Sequence, residues 1–529
     1  MDKLLLLGDE AIAQAALDAG LSGIYAYPGT PSTEITEYVQ SSEKAKTDNI
    51  HCRWSANEKT AMEAALGMSF AGKRSMVCMK HVGVNVAADA FINAAMTGVV
   101  GGLVVVAADD PSMHSSQNEQ DSRFYGQFAM VPIFEPSNQQ EAYDMVYDAF
   151  ELSESLGTPV MLRITTRLAH SRAGVSRRPE KQQNSLHYSD NPRQFVLLPV
   201  NARVNYVKLL AKQRDYILLS ETSVYNDYID GNDHTRGIIA AGIAFNYLME
   251  NYPDGCPYPV LKVGQYPLPE KRLNSMAETC DELIVIEEGY PLIEDSLRGL
   301  LHKGLKIDGR RNEFLPRTGE LTPDIVGKAF GFPTITSMVV SEVVKMRPPS
   351  LCTGCGHRDM FEALNEVYLE KGEDSKIFGD IGCYTLGYLP PFKAMHTCVD
   401  MGSSITMAKG AADAGLKYAV AVIGDSTFTH SGMTSLLDAI NDQSPITVII
   451  SDNETTGMTG GQDSAGTGRI EAICLGLGIE PEHLHVLVPL KKNQEEMVRV
   501  LRDEMSYKGV SVIIPRRECI QTLARKKKS

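Results

Sequence analysis

The chain has 529 residues, 43% hydrophobic and 22% charged, with 51 basic against 66 acidic side chains and a formal net charge of −15. This suits about three folded domains and excludes disorder as the main state. The acidic balance argues against nucleic acid or an anionic membrane as the main partner, and no apolar run approaches the ~20 residues of a transmembrane helix.

Residues 4–7 form a short apolar run followed at once by Gly-Asp-Glu, which reads as a strand and not as the core of a signal peptide. A cytoplasmic location is expected. Residues 10–19 are Ala-rich and helical, and 23–27 read as a second strand. Thr30 is expected to cap a helix with Pro31 in its first position. Residues 58–70 place small residues on every turn and read as a closely packed helix, while 75–79, 103–107 and 159–164 read as buried strands. Strands alternating with helices imply a parallel sheet covered on both faces.

Residues 171–192 are polar, carry Pro179 and Pro192, and read as a linker. A second α/β segment follows, with 216–220 and 283–286 as its clearest strands. From 306 the chain is mixed, ending in Arg347-Pro348-Pro349 as a second boundary. In the third segment 377–381, 419–423 and 446–450 read as strands and 433–440 as a helix. The expected fold is α/β, three doubly wound parallel-sheet domains: residues 1–172, 194–305, a linker over 306–350, and 351–529.

Gly424-Asp425-Ser426 follows the strand at 419–423, and Asn453 follows the strand at 446–450. Two strand ends of one parallel sheet thereby present a carboxylate and an amide side by side, where open α/β sheets bind ligands. Such oxygen ligands suit Mg²⁺ shared with phosphate. Gly424 lets backbone approach a phosphate, and the helix after Ser431 is expected to offer its N-terminal N–H groups to it. With Thr455-Thr456-Gly457-Met458-Thr459-Gly460-Gly461-Gln462 following Asn453, the segment resembles thiamine diphosphate enzymes, whose motif is Gly-Asp-Gly and, about 25–30 residues on, Asn. Serine at 426 departs from that motif by one residue. The resemblance implies Asp425, Asn453 and the Thr455 carbonyl on Mg²⁺, with Gly382, Gly424, Ser426, Gly457 and Met458 at the cofactor.

Glu58 opens the helix at 58–70. Alone, it reads as a carboxylate complementing a helix dipole. The resemblance implies a second role, protonating the cofactor's pyrimidine N1′ so that its 4′-amine becomes the base. The stretches Tyr27-Pro28-Gly29-Thr30-Pro31-Ser32-Thr33-Glu34, Met79-Lys80-His81-Val82-Gly83 and 108–123, which begins Ala108-Asp109-Asp110-Pro111 and ends in Arg123, extend the likeness over nearly the whole chain. They resemble the large subunit of indolepyruvate:ferredoxin oxidoreductase, within the 2-oxoacid:ferredoxin oxidoreductases. The resemblance implies a pyrimidine domain, a transketolase C-terminal-like domain and a diphosphate domain, in that order. It puts Thr30 at substrate and cofactor, Arg123 on the substrate carboxylate, where a bidentate pair is effective, and His81 near the reacting centre. A surface arginine and a packed histidine are the structural alternatives.

In an intracellular chain of this size the ten cysteines are not a disulfide framework. Cys352-Thr353-Gly354-Cys355 is the sole C-x-x-C. The resemblance implies a 4Fe–4S cluster on Cys352, Cys355, Cys383 and Cys519. Structural zinc, simple burial, and Cys398 in place of Cys519 stay open. The chain ends ten residues after Cys519 without the C-x2-C-x2-C-x3-C run of a ferredoxin-like domain, so electrons are expected to leave through ferredoxin or a cluster-bearing partner.

The function implied is oxidative decarboxylation of indolepyruvate or another aryl pyruvate to acyl-CoA and CO2, with coenzyme A as cosubstrate, ferredoxin as acceptor, a smaller partner subunit, and a homodimer or α2β2 assembly. A non-oxidative decarboxylase or carboligase, and a non-catalytic subunit, are the alternatives.

Overall fold

A computed structural model describes residues 3–189, 191–300, 304–333, 341, 343–345 and 349–527. It divides into two compact units, Met1–Val339 and Val340–Ser529. The boundary read at Arg347-Pro348 lies outside the described residues.

The strands of the first unit are β1 (Lys3–Leu7), β2 (Gly23–Ala26), β3 (His51–Trp54), β4 (Ser75–Lys80), β5 (Leu103–Asp109), β6 (Ile133–Phe134), β7 (Val160–Thr165), β8 (Arg172–Ser176), β9 (Tyr228–Ile229), β10 (Arg236–Ala241), β11 (Val260–Val263), β12 (Gln265–Tyr266), β13 (Glu282–Ile286) and β14 (Lys306–Asp308). A seven-stranded sheet runs β12-β6-β7-β5-β4-β2-β3, parallel except for β12. A five-stranded sheet runs β14-β13-β10-β11-β9, parallel except for β9. Every residue of β5, LVVVAAD, is buried, as a parallel strand covered by helices on both faces requires.

The second unit holds β15 (Ser375–Gly379), β16 (Tyr418–Gly424), β17 (Ile446–Ser451), β18 (Thr455–Thr456), β19 (Gln462–Asp463), β20 (Leu484–Leu487) and β21 (Ser511–Pro515). Its parallel sheet runs β15-β16-β17-β21-β20, and β18 pairs with β19 as a small antiparallel hairpin. The α/β reading with three largely parallel sheets holds.

Four local expectations are corrected. Residues 216–220 are not a strand but the last turns of the helix Pro199–Glu221. Pro199 opens that helix at a position where its missing N–H costs nothing, and a five-residue apolar run does not by itself distinguish strand from helix. Residues 171–192 are not a free linker: β8 pairs antiparallel with β1, Arg177 grips the buried Asp18 through Nε at 2.9 Å and Nη2 at 2.6 Å, and Lys181 N–H donates to Asp18 O. Residues 306–308, read as linker, form the edge strand β14. Thr30 does not cap a helix. Ser32 N–H and Oγ both donate to Gly29 O, closing a turn over 29–32, so the helix starts at Thr33.

The segment 194–305 is not a separately packed body. Its β12 completes the first sheet, and Ile238, Ala240 and Ile284 share one core with Val104, Val106 and Leu162.

Candidate functional site

In the first unit the carboxyl ends of β2, β3, β4 and β5 carry the residues of interest. Asn57 caps the helix Glu58–Phe70, its side chain accepting Thr60 N–H at 2.8 Å. This puts Glu58 in the first helical position, where it is 5% exposed. Its carboxylate fits against Gly83, where a β-carbon would stand 2.7 Å from Glu58 Oε1. Lys80 ends β4, and its Nζ donates to Ser115 O at 3.1 Å. Ser115 Oγ donates to Thr30 O at 3.3 Å. Thr30, half-buried, therefore shares a corner with Ser115 and Lys80. Burial lowers the Lys80 pKa against the pull of Asp110 and Glu58. Lys80 is the functional candidate the sequence reading passed over, although it stands between two quoted motif residues at a strand's carboxyl end.

His81 opens the helix His81–Thr97 and is 1% exposed. Its Nε2 lies 3.2 Å from Asn118 O, and burial lowers its pKa, which keeps the ring neutral. Its Nδ1 is buried without a hydrogen-bond partner.

Arg123 is corrected. It is neither a surface residue nor open to a substrate carboxylate, being 0% exposed. Its Nε and Nη2 hold Asp121 at 2.9 and 2.5 Å. Its Nη1 meets Glu287 Oε2 at 2.9 Å and Tyr266 Oη at 3.1 Å, and Nη2 also donates to the carbonyls of Glu288 and Tyr290. All five guanidinium N–H groups are engaged. Beside it Arg163, equally buried, bridges Asp109 and Glu135. Burial pushes the neighbouring Glu287 and Glu288 carboxyls up to about 7.

In the second unit β16 delivers Asp425 directly into a helical run: Asp425–Thr427, a wide turn Phe428–Gly432, then Met433–Asn441. The helix start expected after Ser431 thus lies at Asp425 itself. Asp425 is 2% exposed, and its Oδ2 has no hydrogen-bond partner. Burial, with Asp452 nearby, pushes its pKa up to about 7. Such a carboxylate wants a cation.

Asn453 follows β17. Its Oδ1 accepts Thr455 N–H at 3.2 Å, and Ser426 Oγ lies 2.9 Å from Thr456 Oγ1. The two strand ends therefore meet as expected, and the donor set, one carboxylate, one amide and one carbonyl, fits Mg²⁺. Met458 is exposed on the hairpin. Gly424 also has a packing reason. A β-carbon there would stand 2.8 Å from the Tyr384 ring, and one at Gly382 2.3 Å from it. Both glycines make room for Tyr384, whose hydroxyl donates to Asp380.

The cysteines gather beside this site. A β-carbon on Gly457 would lie 3.0 Å from Cys383 Sγ and 3.7 Å from Asn453 Nδ2. Burial, then the neighbouring Cys355, Cys519 and Cys352, push the Cys383 thiol up to about 12. Cys352, Cys355, Cys383 and Cys519 thus form one electrostatic group, whereas burial and Asp380 act to raise the exposed Cys398. Cys355 Sγ lies 3.0 Å from His357 Nδ1. Thiols so raised ionise only with a metal to bind them.

No described helix is long and apolar enough to cross a membrane.

The family described as pyruvate flavodoxin/ferredoxin oxidoreductase, thiamine diphosphate-binding, matches residues 14–205, and the C-terminal domain of thiamine pyrophosphate enzymes matches 380–514. Indolepyruvate oxidoreductase subunit IorA of Archaeoglobus fulgidus is 40% identical, covering 98% of this chain and 86% of that protein. The IorA subunit of Methanothermobacter thermautotrophicus is 38% identical, covering 98% and 87%. The 2-oxoglutarate synthase subunit KorA of the same organism is 27% identical over 33% of this chain and 48% of its own. Among solved structures, the 2-oxoglutarate:ferredoxin oxidoreductase of Magnetococcus marinus shares the fold, with a TM-score of 0.51 and 16% identity, covering 62% of this chain and 65% of that one. With this identity sustained over 98% of its length, the chain belongs to the family of indolepyruvate oxidoreductase subunit IorA.

Proposed function

We propose that the chain is the thiamine diphosphate-binding subunit of an oxidoreductase that decarboxylates indolepyruvate, or another aryl pyruvate, to its acyl-CoA and CO2. The observation that carries this reading is Asp425, a buried carboxylate with an unpartnered oxygen beside Asn453, in a chain 40% identical to an IorA subunit. Thiamine diphosphate, when bound, supplies the nucleophilic carbon and the electron sink for loss of CO2. Asp425, Asn453 and the Thr455 carbonyl would hold Mg²⁺ and, through it, the diphosphate. The Glu58 carboxyl would hold and move a proton at the pyrimidine N1′, and its burial would exclude water there. Thr30 and Lys80 line the corner on the same strand ends and orient the substrate. Cys352, Cys355, Cys383 and Cys519 would hold a 4Fe–4S cluster, which would supply single-electron transfer toward ferredoxin.

A smaller partner subunit completes the enzyme in an α2β2 assembly or a homodimer-based one, in the cytoplasm. The test is anaerobic co-purification with that partner, followed by assay of iron, sulfide and thiamine diphosphate and of turnover with indolepyruvate, coenzyme A and viologen. Viologen reduction with acyl-CoA formation is expected. Aldehyde release without reduction would overturn the oxidative reading in favour of a non-oxidative decarboxylase.

A further inference from the structure

A second group of ligand-type side chains lies in the first unit, apart from the residues assigned above. Asp9 begins the helix Gly8–Asp18 after β1, Glu34 begins the helix Thr33–Ser41 after β2, and His170 ends the short helix Thr166–His170 after β7. One ligand atom from each lies within 4.8 Å of the others, and His170 Nε2 stands 3.7 Å from Glu34 Oε1.

Asp9 carries the argument. It is 0% exposed, and neither carboxylate oxygen has a hydrogen-bond partner. Glu34 Oε2 is also buried without one. The charges acting on Asp9 are those of Glu34 and Glu10, both negative, and Glu10 itself takes Arg172 at 3.5 Å. A divalent cation would take one oxygen from each carboxylate and balance their two charges.

We propose that Asp9, Glu34 and His170 bind a divalent transition-metal ion of the Zn²⁺ or Mn²⁺ class. Two carboxylates and one imidazole form a nitrogen–oxygen donor set suited to those ions. Three protein ligands leave a fourth position for water. Tetrahedral Zn²⁺ separates its ligands by about 3.4 Å, so the 3.7 Å between His170 and Glu34 needs little adjustment. Partial exposure of the Glu34 and His170 side chains gives the ion its entry. The metal pins three strand ends together, and one of the pinned helices begins directly after the turn over 29–32 that holds Thr30.

The experiment uses the holoenzyme in excess Mg²⁺ and thiamine diphosphate, so that the Asp425 site is filled. The protein is equilibrated with Zn²⁺ and, in parallel, Mn²⁺, then desalted and its metals counted. Wild type is expected to retain about one more Zn²⁺ or Mn²⁺ per chain than His170→Gln or Asp9→Asn, with iron and thiamine diphosphate equal in all three. Mild chelation should lower the Tm of wild type and leave that of His170→Gln unchanged. His170 lies at a partly exposed helix end, so this variant stands if Asp9→Asn does not fold. Equal zinc and manganese counts in wild type and His170→Gln overturn the proposal.

Discussion

Glu58 and Gly83 are fitted to each other: a β-carbon on Gly83 would lie 2.7 Å from both Cγ and Oε1 of Glu58. The glycine is therefore expected to position the carboxylate proposed to act on the cofactor. Gly83→Ala should lower kcat by about 10²-fold, the scale expected when a catalytic group is displaced by about 1 Å, with circular dichroism unchanged. In a Glu58→Gln background the same change should add almost nothing, since the group it displaces is already disabled. Wild-type turnover in Gly83→Ala would remove the positioning role.

Asp425→Asn removes the charge but keeps the shape. Thiamine diphosphate affinity, titrated by fluorescence with and without Mg²⁺, should lose its metal dependence and weaken at least about tenfold. An unchanged Mg²⁺ dependence would place the ion elsewhere.

Arg123→Ala is expected to act on stability and not on substrate affinity. It would strand Asp121 and Glu287 as buried charges, a loss on the order of 3–5 kcal/mol. Thermal melting should show a large drop in Tm. In the fraction that stays folded, KM for the 2-oxo acid should be unchanged. A raised KM with normal Tm would restore the carboxylate role.

What could be read from the sequence follows the distance over which each feature is built. Gly424-Asp425-Ser426 and Asn453 were legible because each sits in its own strand-to-loop step, and parallel pairing of neighbouring strands brings them together. The helix start at Glu58 was legible, whereas a role for Glu58 came only from the family resemblance, because a carboxylate at a helix N-terminus is common. Arg123 was misread because its partners Glu135, Tyr266 and Glu287 come from three distant segments, and no local pattern announces a guanidinium at the junction of two sheets. The reason for Gly424 was equally hidden, since Tyr384 reaches it from another strand end. Residues 216–220 were misassigned because the length of the helix around them outweighs a five-residue apolar run.

Glu288 should leave a signature in the pH dependence of stability. Its carboxyl keeps its proton in the folded protein up to about 7, against an ordinary value of 4.5. Between those values the folded form binds more protons than the unfolded one. Its contribution to stability is therefore full below pH 4.5 and declines as pH rises to 7. Glu288→Gln cannot ionise. Its stability relative to wild type should climb across that window by up to about 1.4 kcal/mol per pH unit and level off above it. Parallel denaturation curves at pH 5 and pH 8 check this, and a constant difference would rule it out.

Cys519→Ser and Cys398→Ser separate the two candidates for the fourth cluster ligand. Iron and sulfide should fall sharply in the first and stay at wild-type content in the second, measured after anaerobic purification. Loss of iron in Cys398→Ser alone would reverse the assignment.

Gln265 and Tyr266 form only a two-residue strand, yet they lie along β6 at the margin of the first sheet. A gene fragment ending near residue 193 would lack them and bare the hydrogen-bonding groups of β6, together with the apolar flank that Tyr266 covers. Exposed margins of that kind recruit other chains. The seven-stranded sheet therefore cannot be harvested as a free-standing module. Expressed alone it should collect in inclusion bodies, and any recombination scheme that exchanges this portion between relatives must carry residues 194–333 along with it.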